Sequence, residues 1–180
     1  MTEPYSLGPM PTDRSMTTVD EIVTPASLAV IFALAANVEQ WPTHLSHYRY
    51  VRFLERRSDG GGLVEMSANR PFGAIQWPTR WTSLMSVTRP GSVATPSIRF
   101  RHVQGITTGM EVEWTFTPER GGTRVRIVHV WNGPSWPVIS TIAARSVIGP
   151  VFVHGIASRT LAGLARAAER PATDASRIEV

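Results

Sequence analysis

Cysteine is absent from the 180 residues, which excludes disulfide frameworks, thiol nucleophiles and cysteine-bound zinc. A reducing, cytoplasmic setting fits that absence and is the expected location. Lysine is absent as well: all 18 positive side chains are arginines. A guanidinium forks readily onto phosphate. These arginines are scattered, however, the net charge is only +4, and there is no basic run of five. A nucleic-acid partner is therefore not expected. Long apolar runs are missing too. The longest uncharged stretches, Asn132–Ala144 and Ser146–Ser158, are interrupted by Arg145 and Pro150. Neither reaches the ~20 residues of a membrane span. The N-terminus lacks a charged segment followed by an apolar one, so a soluble chain without a signal peptide is expected.

What is present suits one domain with a substantial core. Residues 1–14 carry three prolines and a glycine and read as a flexible tail, as do residues 171–180. Residues 15–170 form the expected single domain. Ser15–Val23 reads as extended, and Thr24-Pro25 as a helix start with Thr24 as N-cap. A short helix runs to about Asn37, Trp41-Pro42 breaks it, and a second short helix or turn reaches Ser46. The period then becomes two. Strands are predicted over Tyr48–Arg57, Gly62–Arg70, Gly73–Thr88, Ser97–Gln104, Thr108–Pro118 and Thr123–Trp131. Pro78 demands an edge or a bulge, because it cannot donate to a ladder. After Asn132-Gly133-Pro134 a helical period places Ile148, Phe152, Ile156, Thr160, Leu164 and Ala168 close to one face. The predicted fold class is α+β: a curved antiparallel sheet of about seven strands around a long C-terminal helix, with two short helices after the first strand.

Alternation sorts the faces. Met110, Val112, Trp114 and Phe116 point inward, while Glu111 and Glu113 point outward and are expected in water. The same rule turns His102 and His129 inward, and Trp77, Trp81, Ser83 and Met85 share an inward face. Indole walls with a few polar atoms suit a flat, partly oxygenated ligand. Residue type alone leaves open whether Trp81 and Trp114 wall a cavity or fill the core. His44-x-x-His47 lies near a turn without supporting acids, so no metal site is expected, and no cofactor is called for. Solvated Glu111 and Glu113 exclude a two-carboxylate hydrolase.

The segment order, the Trp41-Pro42 break and the Leu54-Glu55-Arg56 strand end resemble the START-like (SRPBCC, Bet v 1-like) helix-grip superfamily. Within it, residues 16–168 resemble the single-domain aromatase/cyclases of aromatic polyketide synthesis. Trp41, Leu45 and Tyr48 match the spacing of that family's aromatic entrance. Trp81, Ser83 and Met85 match a Trp-x-Ser-x-Arg strand motif, and Met110 and Trp114 a Met-x-x-x-Trp wall. Ile127 falls where a further wall tryptophan is found. Met85 replaces the arginine that anchors the poly-β-ketone, and Leu45 and Ile127 are not aromatic.

The resemblance implies a polyketide cyclase/dehydratase, or a non-catalytic carrier of a quinone, lipid or other flat hydrophobic ligand. Its partners would be that small ligand and an acyl carrier protein. Cyclisation needs the chain folded against a proton donor and acceptor. Ser83, Tyr48 and an inward histidine, preferably His129, are the catalytic candidates. Arg52 or Arg70 would supply the missing guanidinium if either reached the cavity. Trp41, Leu45, Trp81, Met85, His102, Met110, Trp114, Ile127, Phe152 and Ile156 are the expected ligand-binding residues.

Overall fold

The alternation of residues 48–131 closes into one antiparallel sheet, completed by a strand from the N-terminal side. The computed structural model describes residues 6–72, 75–92, 94–133 and 154–170. The chain runs through β1 (Met16–Thr24), α1 (Leu28–Ala36), a 3₁₀ turn (Val38–Gln40) and α2 (Trp41–His44). Then come β2 (Tyr48–Arg56), β3 (Gly62–Phe72), β4 (Ile75–Thr88), β5 (Ser97–Gly105), β6 (Glu111–Glu119) and β7 (Gly122–Trp131). The last described element is α3 (His154–Glu169). The strand order is β1-β7-β6-β5-β4-β3-β2, so β1 crosses over to pair with β7. This is the helix-grip arrangement that the alternation and the final helix predict.

Inward positions of β4 to β7 supply Met85, Ile98, Phe100, Trp114, Phe116, Val125 and Ile127, all nearly solvent-free. Burying a large apolar side chain contributes about 1.5–3 kcal/mol before entropy is counted. α1 lays Phe32 edge-on against Phe116, with centroids 5.1 Å apart. α3 buries Ala157, Leu161, Leu164 and Ala165. It is tied to β1 by Ser158 Oγ donating to Asp20 Oδ1 (3.0 Å) and by Thr24 Oγ1 donating to Glu169 Oε1 (3.0 Å). Pro78 pairs with Asn69 of β3, and the recorded pairing of β4 with β5 spans only Trp81–Thr88. The proline thus sits where the missing donor costs no ladder bond to β5.

Three expectations need correction. The N-cap of α1 is Ser27, whose hydroxyl accepts from Val30 N, and not Thr24. Thr24 closes β1 instead, its side chain held by Glu169 and Ala26 N. Glu111 is not solvated; it is 4% exposed. It faces outward as predicted, yet Arg99 Nη2 (2.6 Å) and Arg101 Nε (3.1 Å) both bind its carboxylate. Finally, the predicted N-terminal tail is not loose over residues 7–10. Leu7 is buried, Arg101 Nη2 donates to its carbonyl (2.7 Å), and Arg99 binds the carbonyl of Gly8 and the sulfur of Met10. This short strap covers the ion pairs and explains their burial.

Candidate functional site

The site is set by cross-strand register. Ser83 of β4 lies opposite Val64 on one side and His102 on the other. A register shift between Thr82 and Ser83 makes that pairing, because Thr82 faces Gln104 and the next partner is His102. The chain then turns at Gly105 and returns through Thr107, whose hydroxyl lies 2.6 Å from His102 Nδ1. His102 stacks on Trp81 (6.0 Å, 29°). Trp81 adjoins Tyr48 (6.2 Å), and Tyr48 meets Trp41 edge-on (5.1 Å). Trp41 contacts Trp114 (5.6 Å) and Phe100 (6.1 Å). These rings pack on one another as a continuous buried face.

Two polar atoms in this face lack a partner among the described residues. Ser83 is fully buried and its Oγ makes no hydrogen bond; the same is true of Trp41 Nε1. An unsatisfied buried polar group costs about 1–3 kcal/mol. Such atoms in an aromatic face suit a ligand, or water, that supplies an acceptor to the indole and a partner to the hydroxyl.

The structure brings Trp41, Tyr48, Trp81, Ser83, His102 and Trp114 together. Met110 is buried beside them, its carbonyl accepting from His102 N (2.9 Å). Met85 is 0% exposed and pairs with Phe100. Ile127 is buried opposite Trp114. Leu45 packs under α3 at Gly163, where a Cβ would lie 2.3 Å from Leu45 Cδ2. Ile156 is buried on α3. His129 shares the inward face but stands apart. It ends the row Met85–Phe100–Val112–His129, three strands from β4, and adjoins Thr18 (Nδ1 to Oγ1 3.4 Å). That is roughly 14 Å along the sheet at about 4.8 Å per strand. Phe152, and the side chains of Trp77 and Arg70, lie outside the described residues. Arg52 points outward onto Glu65 (2.9 Å), so it does not replace the missing guanidinium. Thr107 was not singled out from sequence, whereas alternation sets Phe100 inward beside His102. The only signal for Thr107 was the pair Gly105 and Gly109 bracketing a tight turn.

A family model described as "Polyketide cyclase / dehydrase and lipid transport" matches residues 24–147, more than half of the chain. The chain belongs to that family. Among solved structures, this family member is similar to TTHA0849 from Thermus thermophilus. The TM-score is 0.71 at 19% identity, covering 84% of this chain and 96% of that one. It is equally similar to the ZhuI aromatase/cyclase from Streptomyces sp. R1128, with TM-score 0.71, 16% identity, and 86% and 93% coverage. A START superfamily protein from Mycobacterium smegmatis follows with TM-score 0.56, 19% identity, and 84% and 92% coverage. At such identities the likeness establishes the fold. No curated protein shows a significant match. Among the described residues, no helix is long and apolar enough to cross a membrane.

Proposed function

We infer that this family member binds a flat, oxygenated polyketide-type molecule against the aromatic face and acts on it as a cyclase/dehydratase. The observation that carries the reading is the pair of polar atoms without a partner among the described residues, Ser83 Oγ and Trp41 Nε1, set among buried rings. The indole N–H would bind one carbonyl of a poly-β-ketone, and stacked rings would hold the chain flat, which supplies orientation. With His102 Nδ1 engaged by Thr107, proton transfer is assigned to Nε2. His102 takes a proton from a methylene flanked by two carbonyls, and the Ser83 hydroxyl donates to the enolate oxygen. The enolate carbon attacks a ketone carbonyl, forming the carbon–carbon bond, and the alkoxide recovers the proton. Loss of a second α-proton with that hydroxyl releases one water and leaves the double bond. An acyl carrier protein delivering the substrate belongs to this reading.

A second reading, a non-catalytic carrier, is favoured by Met85. It is fully buried where the aromatase/cyclase motif has arginine, so no cation polarises a carbonyl there.

One experiment separates them. A carrier-bound polyketone is incubated with the wild type and with Ser83→Ala, His102→Gln and His129→Ala, and binding is followed by tryptophan quenching. The cyclase reading expects Ser83→Ala and His102→Gln each to lower turnover roughly 100-fold, the low end for general acid–base catalysis, with quenching retained. Loss confined to His129→Ala moves the base to His129. Quenching with no turnover in the wild type leaves the carrier. No quenching by any flat oxygenated aromatic removes both.

A further inference from the structure

A cleft of about 410 Å³ opens between the corner that joins α2 to β2 and the exposed side of α3. That volume falls within the roughly 300–1,000 Å³ of small-molecule sites. Its polar lining is His44, Ser46 and His47 from the corner and Ser158, Arg159 and Arg166 from α3, with no carboxylate among the lining residues. Helix and corner touch at Gly163 against Leu45, and the absence of a Cβ permits that approach. His47 is placed by its Nε2, 3.0 Å from Thr160 Oγ1. The buried Asp20 accepts the Ser158 hydroxyl and is not among the residues that line the cleft.

Paired and unpaired arginines both occur among the described residues. Arg52, Arg56, Arg99, Arg101 and Arg124 each hold a carboxylate. Among the described residues, Arg159 and Arg166 enter no ion pair or side-chain hydrogen bond, and neither does His44. The two arginines are seven residues apart, so they lie on one helix face about 10.5 Å apart along the axis at ~1.5 Å per residue. Their side chains are long enough to converge on one anion from both ends. Like charges lining a concave surface repel, and a bound anion relieves that repulsion. A guanidinium matches phosphate oxygens with two parallel hydrogen bonds.

We propose that this cleft is an anion site for a phosphorylated small molecule, held by Arg159 and Arg166 of α3 and by His44 from the opposite wall. The site adjoins the aromatic face through His47, whose ring centroid lies 4.8 Å from that of Tyr48, but none of its anion-binding groups takes part in the reaction assigned there. Its concave shape, closed on one side by the corner, favours a soluble phosphate ester over the headgroups of a lipid surface.

The test is titration calorimetry of the full chain at low ionic strength with pyrophosphate and with adenosine 5′-monophosphate. The expected result is saturable 1:1 binding that weakens as salt is raised. Arg159→Gln and Arg166→Gln should each weaken it about tenfold, the equivalent of one charge-assisted hydrogen bond. Both side chains are exposed, so near-ultraviolet circular dichroism should confirm an unchanged fold in the variants. No saturable binding of either probe below about 10 mM overturns the proposal. So does equal affinity in the double variant. Sedimentation with phosphatidylglycerol vesicles, while neither soluble probe binds, overturns it in favour of a lipid surface.

Discussion

Gly105 sits at φ +99°, and a Cβ there would lie 2.6 Å from the Arg80 carbonyl oxygen and 2.9 Å from Trp81. Both obstacles sit on or next to backbone, so the position resists any side chain. It also ends the strand that sets His102 opposite Ser83. Gly105→Ala is expected to cost about 1–3 kcal/mol in urea unfolding, from strain in the left-handed region plus the close approach. Ser83→Ala should behave oppositely. The hydroxyl has no partner to lose among the described residues, so stability should stay within about 0.5 kcal/mol of wild type or rise. A marked loss would mean that Oγ is satisfied in solution. At this scale the inward direction of Trp81, Ser83 and His102 was legible, because alternation is a local property of a strand. The Thr107 contact was not, since it arises in a turn, where no period applies.

Along single elements, β6 shows how far pattern reaches. Alternation placed Glu111 outward correctly, but outward was equated with solvated. The equation failed because a segment about a hundred residues earlier in sequence lies over that face. Arg99 and Glu111 are nearly buried as a pair (side chains 10% and 6% exposed). Glu111→Gln leaves two arginines facing a neutral group, and breaking such a pair typically costs about 3–5 kcal/mol. Arg101 is partly exposed, which places the expected loss at the lower end, about 3 kcal/mol. The same change should loosen the strap, seen as faster amide exchange over Leu7–Met10 with little change in α3. Unchanged exchange there would show that the strap is held by Leu7 burial alone. Exposed charges at the sheet end behave differently. Arg124 bridges Glu119 and Glu21, and the Glu119 hydrogen bond, followed by its charge, raises the guanidinium above its ordinary pKa. Charge on Arg124 is therefore constant at all ordinary pH values.

For the whole molecule, a ligand that binds only the native state must stabilise it. If the inferred polyketide-type ligand binds at Ser83 and Trp41, a hundredfold excess over Kd raises the unfolding free energy by about 2.7 kcal/mol. Ser83→Ala should reduce that gain by about 1.4 kcal/mol, one tenfold step in affinity, if the hydroxyl contributes a hydrogen bond. An identical gain in both proteins would show that the ligand sits elsewhere. The sequence by itself determined the element order, the inward faces and the long C-terminal helix, because side-chain period and turn chemistry act over a few residues. Tertiary structure alone decided which inward groups meet. Ser83 faces His102 while His129 stands three strands away, because strand order and a shift of register, invisible within any one strand, set those distances. It also decided that Glu111 is buried and that Arg159 and Arg166 remain unpaired, among the described residues, around a cleft. Both outcomes depend on what long-range packing lays over, or leaves open beside, an exposed-looking residue.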